Sequence, residues 1–333
     1  MKSTLSILFF SGILFFTNTK ISAQKEYSFA SSGQQKLILN PAFAGSAKGI
    51  NVQSLYASST SYDYYSVVQM YFGADYGFNN GFGAGLSFTK HNYFQKLYVS
   101  NQVDLTGAYK LKLKNNITLI PSLQVSFIQI DLDRTKLNTG EINPNPPYNN
   151  TSLKKGFIPQ WEIVSAQNKQ NVSFSSGFIM DINHKLTFGI SVYDFNQPDV
   201  GLMSVSKRAL TQIYHMSGVL FKDKTVSIQP YSVLKLQHYN EQYLEGGFYT
   251  SYKMLSVQTA VRPRFDYVVG SLSSLHSVFF GVISGVNFNY KKCKIGYTFK
   301  SLNNTFKNSA HELFFAARLG NPEKKIDRAL FVD

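Results

Sequence analysis

Apolar and polar residues alternate along most of the chain with a period of two, the repeat of a strand that shows a different environment to each face. From Val67 to Phe78 the residues Val68, Met70, Phe72, Ala74, Tyr76 and Phe78 share one face. Asn79-Asn80-Gly81 then supplies a turn that tolerates left-handed backbone. Beyond it Phe82, Ala84, Leu86 and Phe88 face one way, and Gly83, Gly85, Ser87 and Thr89 the other. The pattern recurs in Val103, Leu105, Gly107, Tyr109 and Leu111, and again in Ile117, Leu119, Leu123, Val125 and Phe127. It predicts fourteen strands, at 50–58, 66–78, 82–91, 98–112, 116–130, 170–181, 185–194, 208–221, 225–237, 242–252, 255–262, 276–290, 294–300 and 310–319. Pro121 and Pro230 fall inside two of them and predict a bulge or a break in pairing. The glycines of Gly81-Phe82-Gly83-Ala84-Gly85 lie within a strand and narrow the polar face rather than cradle a phosphate.

The connections carry the stronger argument. Every even-numbered strand ends in a short turn, at 79–81, 113–115, 183–184, 222–224, 253–254 and 291–293, whereas the long connections, 131–169, 195–207, 263–275 and 301–309, follow odd-numbered strands. Packed sheets of a secreted β-sandwich have no reason to sort loops by length onto one end. A transmembrane antiparallel β-barrel of about fourteen strands does, with short periplasmic turns, longer extracellular loops and both termini in the periplasm.

The ends of the chain fit export. Residues 1–23 read as a signal peptide, with basic Lys2, an apolar run from Leu5 to Phe16 and small residues before Gln24. Residues 24–49 form a lead-in on the periplasmic side or in the lumen, 50–319 the outer-membrane barrel, and 320–333 a periplasmic tail. In the lead-in, Leu37-Ile38-Leu39 runs into Asn40-Pro41, and proline forces the residue before it into extended or turn geometry. The polar loop 131–169 holds Trp161, the sole tryptophan, which reads as a packing anchor for its loop.

Composition agrees. Tyr and Phe are abundant, at 21 and 28 residues, while only 16% of the chain is charged, as a barrel with an apolar lipid face and interfacial aromatics requires. No second apolar run is long enough for a spanning helix. The formal charge of +14, or +12 once Lys2 and Lys20 leave with the signal, reads as a solvated rim and loops, with attraction to anionic lipid headgroups or an acidic partner as the other reading. An exported chain without a recognition motif points away from nucleic acid. The single cysteine, Cys293, cannot form an internal disulfide.

Chemistry is thinly represented, and the chain reads as no enzyme and as needing no cofactor. Histidines at 91, 184, 215, 238, 276 and 311 are scattered, mostly at predicted strand ends or turns, and read as interfacial or hydrogen-bonded groups rather than metal ligands. There is no Gly-x-Ser-x-Gly segment, no phosphate loop and no dinucleotide fingerprint. His311-Glu312, which could be drawn as an acid/base pair, reads as the polar start of a strand at the outer rim; Arg208 and Arg318 read as rim or lumen charges.

One stretch is more specific. Asn40-Pro41-Ala42-Phe43-Ala44-Gly45-Ser46, after Gln34 and Leu37 and about twenty residues into the mature chain, resembles the PorP/SprF family of type IX secretion system membrane proteins. Ala108-Tyr109 followed by Lys110 to Leu113, and His311-Glu312-Leu313 opening the last strand, extend the resemblance in order along most of the chain. It departs at the first strand, where the family often has an Arg and a Gln-Trp pair and this chain reads Leu55-Tyr56-Ala57-Ser58-Ser59-Thr60, a departure that implies a different partner if the pair contacts something in the lumen. The resemblance implies an outer-membrane protein that supports type IX secretion or surface anchoring of a large adhesin, as in gliding motility. It implies as partners the adhesin's C-terminal domain, the secretion or gliding motor and peptidoglycan-linked periplasmic components, with outer-membrane lipid around the wall. Contact residues would be Asn40 to Gly45, Trp161, His311 and Glu312. The alternative function is a channel or transporter for a hydrophobic or small polar solute, since fourteen strands leave room inside.

Overall fold

The structure, a computed structural model, describes residues 35–46, 49–61, 65–93, 96–133, 168–202, 206–237, 242–265, 278–301 and 309–319. The proposed signal peptide, the first part of the lead-in, Trp161, His238, His276 and the C-terminal tail lie outside these residues. Fourteen strands build the wall: β1 (Gly49–Ser61), β2 (Tyr65–Gly77), β3 (Phe82–Tyr93), β4 (Tyr98–Tyr109), β5 (Ile117–Leu132), β6 (Asn168–Ile182), β7 (Leu186–Tyr193), β8 (Thr211–Gly218), β9 (Val226–Gln237), β10 (Gln242–Tyr252), β11 (Leu255–Phe265), β12 (Val278–Tyr290), β13 (Cys293–Ser301) and β14 (Ser309–Leu319). Two further two-residue pieces, Leu111–Lys112 and Phe221–Lys222, prolong β4 and β8 along their partners.

Each wall strand pairs antiparallel with the next, and β14 returns to β1 through Leu319↔Ile50 to Ser309↔Thr60. The sheet therefore closes on itself and leaves no strand with a bare row of N–H and C=O groups. The short turns and the outer ends of β1 and β14 share one mouth; the long connections share the other. Left-handed backbone at Asn115, Asn183, His184, Lys253 and Lys291 makes the short turns tight.

The two faces invert the usual arrangement of a soluble protein. On β5, outward Leu123 and Phe127 are 68% and 51% exposed, while inward Gln124 and Ser126 are 6% and 1% exposed. The same inversion runs through Phe72, Leu86, Leu105, Phe248, Val286 and Ile295 outside. Inside stand Gln69, Asp75, Thr106, Ser173, Gln258 and Asn287. Such a wall is stable with hydrocarbon around it and polar groups within. Near the short-turn mouth outward aromatics pair up, Tyr76 with Phe78 at 4.7 Å and Phe82 with Tyr109 at 4.8 Å between ring centres, where interfacial girdles belong.

The strand prolines explain the gaps in the ladder. Pro121 keeps its pairing with β6 at Phe178, yet on the β4 side pairing stops at Ala108↔Ser122 and resumes at Leu111↔Leu119. Pro230 stays paired to Phe248 of β10, and the β8 side resumes one residue out of step, Phe221 opposite Ile228, so a bulge sits there. Pro263 pairs with Phe280 and lies beside a gap between Tyr243↔Arg264 and Gly246↔Val261. In each case the interrupted side is the one that would have needed the missing N–H.

Because Leu123 stands near the middle of its strand on the outer face, Leu123→Arg should cost about 2–4 kcal/mol of stability in a bilayer. Urea titration of the refolded barrel in vesicles checks this; an unchanged midpoint would place that face away from lipid.

Candidate functional site

Residues 35–46 lie inside the barrel. Lys36–Leu39 forms one helical turn with Leu37 and Leu39 buried. Asn40, driven into extended backbone (φ −159°, ψ 123°) by the proline after it, ends the turn. Pro41–Phe43 then makes a 3₁₀ turn with proline at its start, where no N–H is needed. The Asn40 side-chain oxygen accepts from the Ala42 amide at 2.9 Å and caps that turn. Gly45 takes a left-handed φ of 63° and steers the chain toward β1.

Asn40 is fully buried, and its amide nitrogen meets the wall at three points. It donates to the carbonyls of Phe178 at 3.2 Å and Ile190 at 3.1 Å, which face each other across β6 and β7. It also lies 3.2 Å from His215 Nε2. The carbonyls left over at the end of the helical turn find wall hydroxyls: Ser191 donates to Leu39 O at 2.9 Å and Tyr193 to Ile38 O at 2.7 Å. Asp75 accepts from the Gly45 amide and from Asn51 Nδ2, both at 3.0 Å, which fixes the exit toward β1.

The wall leaves space for this segment by omitting side chains. A Cβ at Gly177 would stand 2.1 Å from Asn40 Oδ1, one at Gly83 2.1 Å from Ala44 O, and one at Gly189 2.0 Å from His215 Nε2. Ala42, Phe43 and Ala44 fill the seat, and Phe43 stacks on His215 at 5.4 Å. The apolar cluster they belong to runs from Ala108, Ile120 and Ile179 across the lumen to Tyr231, Tyr249 and Ile283 on the opposite wall.

A second buried group lies on β9 to β11. Arg262 Nε donates to Glu245 Oε2 at 2.8 Å and its Nη2 contacts the same oxygen. Tyr231 donates to the other oxygen at 2.7 Å, Gln258 donates to Tyr231 at 2.7 Å, and the guanidinium lies 4.2 Å from the centre of the Tyr243 ring. On the long-loop side of the helical turn is a cavity of about 130 Å³. Along its wall Asp194 binds Arg208 Nε at 3.1 Å, Arg208 donates to Gln102 at 2.8 Å, and Gln102 donates to Asp104 at 2.7 Å. Among the described residues no group of three or more His, Cys, Asp or Glu is placed to hold a metal ion.

The sequence as a whole matches the family described as "Type IX secretion system membrane protein PorP/SprF" over residues 21–316, from before the segment to within β14. The chain belongs to the PorP/SprF family. No curated protein matches it. Among solved structures it is similar to the CymD monoaromatic hydrocarbon channel, at 10% identity over 90% of this chain and 96% of that one, with a TM-score of 0.53. It also matches the Pseudomonas putida toluene transporter TodX, at 9% identity over 90% and 98% with a TM-score of 0.46. A third is the Acinetobacter baumannii outer membrane protein Omp33, at 10% over 83% and 100% with 0.45. At such identities the likeness to CymD shows the fold alone. Family and fold together make this PorP/SprF protein an outer-membrane barrel of type IX secretion.

Of the residues singled out in the sequence, Asn40 to Gly45 sit together in the lumen, and Trp161 lies outside the described residues. His311 and Glu312 do not meet, because adjacent strand residues face opposite ways. His311 is outward, 2.7 Å from the Tyr297 hydroxyl, and Glu312 is inward and 1% exposed. Glu312 is thus a lumenal carboxylate, not a residue of the solvated outer rim, and the two cannot act as an acid/base pair. His215 faces the segment. It lies in the middle of β8, inside the strand expected at 208–221, with its ring against Phe43 of the segment. Arg208 is lumenal, and Arg318 Nε donates to Asn51 at 3.2 Å near the short-turn mouth. The signal that could have located the seat is the run of inward positions holding glycine, at 83, 177 and 189.

Asn40→Ala in this PorP/SprF barrel strands the Ala42 N–H and should cost about 1–3 kcal/mol. Asn40→Asp, though of the same shape, turns an anion toward two carbonyls and should cost more. Heat-dependent gel mobility of the refolded barrel compares the three; equal stability would remove the amide as an anchor.

Proposed function

We propose that this barrel supports type IX export or surface retention of a large secreted adhesin, acting as a holding partner rather than as a conduit. The observation that carries this reading is the lumen crossed by the chain's own segment, hydrogen-bonded at Asn40, Leu39 and Ile38 and joined to both walls by one apolar cluster. A passage for solute would need that segment to leave a seat that hydrogen-bonds Asn40, Leu39 and Ile38. In this reading the adhesin's C-terminal domain meets the long-loop mouth, including loop 131–169 with Trp161, and His311 stands on the outer wall near that mouth. Gliding-motor or peptidoglycan-linked components meet the short-turn mouth, near which Lys222, Lys253 and Lys291 favour acidic partners or headgroups. Residues 1–23 act as the cleaved signal, and residues 320–333 reach into the periplasm. Catalysis has no part in this role.

The second reading, a channel for a hydrophobic or small polar solute, draws on the likeness to CymD, named as a monoaromatic hydrocarbon channel. The seated segment favours the first reading.

Deleting the gene should abolish surface display of one large secreted protein while leaving the outer membrane otherwise intact, read by surface labelling and mass spectrometry of the cell envelope. Trp161→Ala in the restored gene should weaken co-purification of that protein. Normal display of every secreted protein in the deletion strain, together with steady solute conductance by the reconstituted barrel, would favour the channel instead.

A further inference from the structure

The cavity above the helical turn contains two polar groups that the fold does not use. Lys235, on the inner face of β9, is 7% exposed and has no hydrogen-bonding or charged partner among the described residues. Gln35, at the start of the segment, is 1% exposed, and neither atom of its amide is bonded. Both line the same cavity of about 130 Å³. The other ionic groups there are committed: Arg208 is divided between Asp194 and Gln102, and Asp104 accepts from Gln102 at 2.7 Å and Ser87 at 2.9 Å. A buried amide with no partner is costly, and the Lys235 ammonium beside it in the cavity has no acceptor of its own.

The geometry points to a binding site for a carboxylate: one oxygen accepts from the Lys235 ammonium, the other from the Gln35 amide, and the apolar part of the ligand rests on Leu37 and Ile38 below. A carboxylate fits because it offers acceptors only, and the free groups in the cavity offer an ammonium and an amide donor. Asp104 and Asp194 disfavour a bulkier, doubly charged anion. The site goes beyond the secretion role and stands without it. The carboxylate belongs either to a small organic acid or to the end of a peptide chain.

The test is calorimetric titration of the full-length barrel in nanodiscs with butyrate, butyramide, trialanine and trialanine amide. Saturable binding of butyrate or trialanine is expected, with the matching amide weaker by about tenfold or more. Binding of butyrate alone assigns the site to small acids, and binding of trialanine alone to a chain end; either supports the site. Lys235→Met should lose the binding and Lys235→Arg should keep it. If Lys235→Met fails to refold, Gln35→Leu makes the same comparison. Absence of saturable binding by both acids, equal binding of the amides, or undiminished binding by the folded Lys235→Met or Gln35→Leu protein would overturn the proposal.

Discussion

A strand that crosses a bilayer meets no water along its length, so each of its N–H and C=O groups must find a partner within the protein. That constraint shapes the whole molecule. It closes the sheet from β14 to β1, and it accounts for the three strand prolines, each fully paired on one side and beside a gap or bulge on the other. It also turns the sequence inside out: once hydrocarbon surrounds the wall, apolar side chains belong outside and the polar ones collect in the lumen. There they must satisfy one another or be satisfied by something placed between them.

The segment from Gln35 to Ser46 is what the lumen uses. It enters with its own unsatisfied backbone, the carbonyls left by a helix only one turn long, and the wall answers with Ser191 and Tyr193. The buried Asn40 side chain does the reverse and donates to two wall carbonyls. Apolar packing alone would hold Phe43 almost anywhere in a cluster of Ile, Tyr and Val. The direction of Asn40 and the missing side chains at Gly83 and Gly177 fix the register of the segment against the wall.

The barrel was legible in the sequence because both of its signals are local. Period-two alternation is read over ten residues, and loop sorting over a few strands; each of the fourteen expected strands has its counterpart. The seat was not legible, for a physical reason. Asn40 meets Phe178, Ile190 and His215, residues 138, 150 and 175 positions away. The pattern of each strand says which residues face inward but not how far one strand is staggered against another across the lumen. The resemblance marked Asn40 to Gly45 as special without saying what they touch. Glu312 was misjudged for a related reason: its nearness to the start of a strand suggested the rim, whereas alternation puts it in the lumen.

Two polar groups inside the barrel differ in completeness, and the difference is informative. Around Glu245 both oxygens are engaged, Arg262 and Tyr231 supply the protons, and Gln258 continues the chain. A buried ion pair stabilises little unless it is dressed in this way, and here it stiffens the wall. Beside the helical turn the network through Asp194, Arg208, Gln102 and Asp104 is also satisfied, yet Lys235 and Gln35 stand outside it. Leaving a cation without an acceptor and a buried amide unbonded side by side gives up stability, and such places mark function. One of the two groups belongs to the wall and the other to the segment. The pair therefore exists only while the segment is seated, so the piece of chain that closes the lumen below also completes the cavity above.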